Sequence, residues 1–135
     1  MPSRPLPLAF VALLVALSLV AGCKTRAIYN AERVALEPVT LEERARQIER
    51  AARLQGWALE TVAPGVSIAT RRSGPHVAVA TLTFGPERFA IDFRSSVALN
   101  HSGDRIHGRY NEWVMALERS ILAEAASGAV SSGAR

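Results

Sequence analysis

Val66 to Phe93 reads VSIATRRSGPHVAVATLTFGPERFAIDF, and the punctuation of this stretch decides the fold. Three runs rich in β-branched and aromatic residues are separated by Ser73-Gly74-Pro75 and Gly85-Pro86-Glu87, residue types that make tight turns. Val66, Ile68 and Thr70 alternate with Ser67, Ala69 and Arg71 over Val66 to Arg72, which leaves one face mainly apolar. Phe89, Ile91 and Phe93 alternate in the same way with Ala90, Asp92 and Arg94. His76 to Phe84 mixes valine, threonine and leucine with small alanines and suits a central strand covered on one face. The expected core is therefore a three-stranded antiparallel meander. Ser95 to His101 either continues its last strand or starts a fourth before the polar loop Ser102 to Asp104. On the other side, Ala63-Pro64-Gly65 is a turn and Trp57 to Val62 a weakly pairing strand.

A helix is expected on each flank. Thr40 and Glu43 have the spacing of a capping box ahead of a helix over Thr40 to Gln55, and Gly56 stands where a helix-ending glycine belongs. Leu41, Ala45, Ile48 and Ala52 form one narrow apolar stripe. Glu42 with Arg46 and Glu49 with Arg53 are i,i+4 pairs on the opposite, solvated face. That arginine-rich face could also be taken for a lipid-headgroup or peptidoglycan contact, but a solvated face laced with ion pairs accounts for it more simply. The second helix runs from about Gly108 to Ala123. Tyr110, Trp113, Val114, Leu117 and Ile121 give it a broad stripe of large side chains, the main packing face against the sheet. The fold class is thus α+β, two layers, a three- to four-stranded antiparallel meander with an N-terminal and a C-terminal helix on one face.

Upstream of this domain lies a different kind of sequence. Leu8 to Cys23 reads LAFVALLVALSLVAGC after a short segment carrying Arg4. About 13 apolar residues fit a secretory leader and fall short of the ~20 that a spanning helix needs. Val20-Ala21-Gly22-Cys23 resembles the lipobox of bacterial lipoproteins. The resemblance implies a cleaved signal peptide over 1–22, a diacylglyceryl thioether on Cys23 and acylation of its new amine. It also implies that Lys24, where an aspartate would retain the chain at the inner membrane, sends it to the outer membrane; the inner membrane's periplasmic face is the alternative. Several acyl chains anchor stably, at about 0.8 kcal/mol per buried methylene. The remaining divisions are a lipidated tether over 23–39, broken by Pro38 and with Ile28 and Tyr29 docking on the domain, a globular domain over 40–124, and a frayed, disordered tail over 125–135.

Composition limits the function classes. Roughly 110 residues follow Cys23, enough for one modest core, and with one cysteine in the chain no internal disulfide can form. The net charge of +4 comes from arginines scattered among glutamates, which excludes a basic block for nucleic acid. A second resemblance rests on Gly56-Trp57, His76-Val77-Ala78-Val79, Ser95-Ser96, Ile106-His107, Tyr110-Asn111, Trp113-Val114 and Leu117-Glu118. These look like a group of small Gram-negative lipoproteins without an established activity, and the likeness spans about Thr40 to Ile121.

No chemical constellation stands out. His76, His101 and His107 lack the i,i+4 spacing that would place two ligands on one helix face, so structural or surface roles are expected. Asp92, Asp104 and Glu112 are linked to no nucleophile or phosphate loop, and Ser95 and Ser96 lack the glycines of a nucleophile elbow. His76, His107 and Asn111 are the polar residues to watch, with capping and hydrogen bonding the simpler role for those at the helix entrance. No cofactor is expected. The expectation is a non-catalytic envelope module, anchored by lipid and binding or scaffolding an envelope protein. The alternative is a periplasmic enzyme or small-ligand carrier built on the His/Asn residues.

Overall fold

The structure is a computed structural model that describes residue 3 and residues 24–133. The expected leader, its lipobox and Cys23 lie outside the described residues, as does the end of the expected tail, 134–135. In chain order the elements are β1 (Thr25–Ala27), β2 (Ala31–Ala35), α1 (Leu41–Leu54), β3 (Trp57–Ala63), β4 (Val66–Ser73), β5 (His76–Phe84), β6 (Arg88–Val97), β7 (Arg105–His107) and α2 (Gly108–Gly133).

The α+β class and the meander are present, but the sheet has five antiparallel strands in the order β2-β6-β5-β4-β3, where three to four were expected. Two differences account for the count. Trp57 to Ala63 pairs with β4 with one irregularity at Val62, and β2 adds beside β6 from the segment expected to be a tether. Residues 25–35 therefore carry regular structure, with β1 and β7 forming a separate two-stranded ribbon. Helix α2 likewise continues to Gly133, through residues expected to be frayed. Alanine recurs there at 125, 126 and 129, Ala125 is buried, and the first glycine after Gly108 is Gly128.

Local chemistry sets the turns. Pro64 and Gly65 join β3 to β4; Gly65 has φ +74°, and a Cβ there would stand 2.5 Å from the Phe84 carbonyl oxygen, so only glycine fits. Gly56, at φ +76°, ends α1 after the C-cap Gln55. The N-cap forms by half: the Glu43 amide donates to Thr40 Oγ1 at 3.1 Å, while the Glu43 carboxylate turns to Arg46 at 3.0 Å. Glu43 thus takes the arginine that sequence spacing assigned to Glu42; the Glu49–Arg53 pair forms at 3.0 Å as expected.

The core lies on one face of the sheet. Ser67 and Ala69, Ala78, Ala80 and Leu82, and Phe89 and Ile91 are buried and share that face by register. Tyr110, Trp113, Val114, Leu117 and Ile121 of α2 fill it as the stripe predicts, joined by Ile48, Ala51 and Ala52 of α1. Ser67, Ala69, Ala78 and Ala80 among the inward strand residues are small, which leaves room for these large helix side chains. Val66, Ile68 and Thr70, the more apolar set of β4, point the other way and remain half-exposed. The face of α1 is also rotated from its apolar stripe. Leu41 and Ala45 are half-buried, whereas Arg44 and Gln47 are fully buried.

Candidate functional site

Each histidine and asparagine expected to carry chemistry is engaged with nearby backbone. His76 Nδ1 lies 2.8 Å from the Ala98 carbonyl oxygen, and His101 Nε2 lies 2.9 Å from that of Gly103, with its ring 4.5 Å from that of Phe93. His107 Nδ1 accepts from the Arg109 amide at 3.1 Å, capping the first turn of α2. Asn111 is buried and uses both ends of its amide: Oδ1 accepts from the Tyr29 amide at 2.9 Å, and Nδ2 donates to the Ala27 carbonyl at 2.8 Å. Among the described residues, no group of three or more His, Cys, Asp or Glu side chains is placed to hold a metal ion, Asp92, Asp104 and Glu112 included. The Ser96 hydroxyl is buried without a partner among the described residues.

Asn111 belongs to a clamp that fixes the chain immediately after Cys23. Ile28 and Tyr29 pack against the core. The Tyr29 hydroxyl donates to Glu118 of α2 at 2.6 Å, and this bond, with burial second, raises the phenol pKa. Asn30 Oδ1 accepts from the Phe93 amide at 2.8 Å beside the bulge in β6. Arg105 ties β7 to Thr25 through the backbone carbonyl at 2.6 Å and the hydroxyl at 3.2 Å.

Arg44 completes the clamp. Its guanidinium donates to the carbonyls of Glu37 at 2.5 Å and Pro86 at 2.9 Å and to Gln47 Oε1 at 2.7 Å. A cation held by three neutral acceptors has lost its water without gaining a carboxylate, and this burial lowers its pKa, with Glu43 opposing. Tyr110, deeper in the core, has its pKa raised by burial and secondarily by Asp92.

The other edge of the sheet, at β3, is built differently. Between α1 and β3 runs a groove of about 370 Å³, with Ala45, Ile48, Glu49 and Arg53 along one wall and Trp57, Leu59 and Thr61 along the other. Ser67 and Phe84 close its floor. Trp57 is buried, yet its indole Nε1–H finds no acceptor among the described residues. Sequence reading missed this site because its walls belong to two different elements, 45–53 on the helix and 57–61 on the strand, that meet only in the fold; Ala45 and Ile48 read there as an apolar helix stripe and Trp57 to Val62 as a weakly pairing strand. No helix among the described residues is long and apolar enough to cross a membrane. Comparison with known protein families, with curated proteins and with solved structures finds no match.

Proposed function

We propose that this chain is a lipid-anchored protein of the bacterial envelope whose domain is a non-catalytic module that binds or scaffolds a partner protein. The anchor rests on the apolar run closing at Val20-Ala21-Gly22-Cys23, and Lys24 favours the periplasmic face of the outer membrane. The brevity of the lead supports a module held near its membrane: β1 begins at Thr25, two residues past Cys23, and the clamp of Tyr29, Asn30 and Asn111 ties the chain from Ala27 to Asn30 to the domain.

The observation that carries the binding role is the groove between α1 and β3, which lies beside a strand that has no neighbour on its outer side among the described residues. The polar residues available for an enzyme reading are occupied with backbone contacts, so nothing favours that alternative. Two measurements test the proposal. Cys23→Ser should abolish incorporation of labelled fatty acid, and unchanged labelling would contradict the anchor. Crosslinking in intact membranes should give a defined heteromeric product, and recovery of the monomer alone would contradict the binding role.

A further inference from the structure

The two outer strands of the sheet differ in how they meet solvent. The free side of any edge strand presents N–H and C=O groups that can pair with another chain, and proteins blunt such edges with short strands, bulges and charges. Strand β2 has all three: five residues, a register shift between Ala31 and Val34, and exposed Glu32 and Arg33, the latter at φ +46°. Strand β3 is seven residues long, about 23 Å. Its register holds from Trp57 to Thr61, with the one irregularity beside its turn, and Glu60 is its one charged residue. Alternation puts Trp57, Leu59 and Thr61 on the groove side and Ala58, Glu60 and Val62 on the other, although Ala58 also borders the groove, and Val62 is 55% exposed.

An open edge next to a groove is the arrangement by which an extended segment is bound through backbone bonds, with alternate side chains lodged in pockets. Resting on the partner-binding role above, we propose that β3 receives an extended segment of a partner protein as a sixth strand, with its alternate uncharged side chains seated between α1 and β3. Charge sets the chemistry of the occupant. Glu49 and Arg53, the charged residues of the groove, pair with each other at 3.0 Å, so the walls offer no unmatched charge to a ligand side chain.

A second copy of the chain fits less well. Its own β3 would bring Trp57 and Leu59, which already pack in their own core, and the groove would stay unfilled. A symmetric pairing centred on Glu60 would also set two carboxylates opposite one another, which is destabilising.

The test uses the full chain purified in detergent micelles and a displayed library of random ten-residue peptides. Selected peptides should carry apolar or β-branched residues at alternate positions and should protect amides of residues 57–63 from hydrogen exchange. N-methylation of alternate peptide amides should weaken binding at least tenfold. So should Ala45→Phe, which fills the groove; should that variant not fold, the methylated peptides still decide. Val79→Lys, on the face of the sheet away from the helices, should leave affinity within twofold. Peptides that bind but protect β2 or the half-exposed sheet face overturn the edge proposal and leave the partner-binding role standing. Protection of β3 by self-association in the absence of peptide makes a second copy the occupant and overturns it too. Failure to enrich any peptide, with β3 unprotected, overturns both.

Discussion

The two margins of the sheet have opposite chemistry. At the β2 margin the chain from Ala27 to Val39 is fastened by side chains drawn from the rest of the fold: Asn111 and Glu118 from α2, Arg44 from α1, and backbone amides at Leu36 and Val39 that donate to the turn at Glu87 and Pro86. At the β3 margin the strand is paired on one side and flanked by a groove on the other. The difference teaches that this small core spends its polar side chains on holding the segment from Ala27 to Val39 in place. The far edge is left to backbone and to walls whose charges, Glu49 and Arg53, pair with each other.

The comparison can be broken at its closed side. Arg44→Met should have the largest effect, because it removes the donor for Glu37, Pro86 and Gln47 in one step. The buried Gln47 Oε1 is left unpaired at about 1–3 kcal/mol and the Glu37 carbonyl loses its bond as well, while Pro86 keeps the Val39 amide, so chemical denaturation should show a loss of about 3 kcal/mol. Asn111→Ala comes next, at about 2 kcal/mol, for one buried donor and one acceptor. Its mark should be local as well as global, with faster hydrogen exchange at Ile28 and Tyr29 and little change in β4 and β5. An Asn111→Ala chain with unchanged exchange there would contradict the clamp.

Alkaline pH probes the same side more gently. The Tyr29 phenol is raised above its unfolded value of about 10, mainly by its bond to Glu118, and Tyr110 is raised mainly by burial. A group stabilised in its protonated form contributes fully below the unfolded pKa, and the contribution is lost as pH rises through the folded one. Stability should therefore fall above about pH 10. Tyr29→Phe should be about 1–2 kcal/mol weaker near neutral pH and should lose less on going alkaline. A slope identical to that of the parent chain would show that Tyr29 plays no part. The smallest effect on stability belongs to the open edge: Val62→Lys supplies the missing guard charge at an exposed site and should change stability by less than about 0.5 kcal/mol.

Local chemistry made much of the fold legible. The turns at Pro64-Gly65 and Gly74-Pro75, the cap at Thr40, the stop at Gly56 and the stripe from Tyr110 to Ile121 each depend on a few neighbouring residues, and each appears in the structure. Arg44 and Gln47 were hidden because polar residues read as solvent-facing, and only the carbonyls of Glu37 and Pro86, brought in from elsewhere, together with Gln47 Oε1, make the burial of Arg44 tolerable. Strands β1 and β2 were hidden because three and five residues, with charges at Arg26, Glu32 and Arg33, show no period. Asn111 was singled out as a polar residue, while its partners in the chain near Tyr29 could be found only by folding. The groove was illegible for the same reason.

The claim that β3 is the open, segment-binding edge is tested most directly by cross-strand contacts in isotope-edited NMR of the full chain with a library-selected peptide. Peptide amide and α protons should lie within contact distance of alternate residues of β3 between Trp57 and Ala63, with peptide side chains against Ala45 and Ile48. Contacts that fall instead on Val79 and Thr81, or on β2, would contradict it.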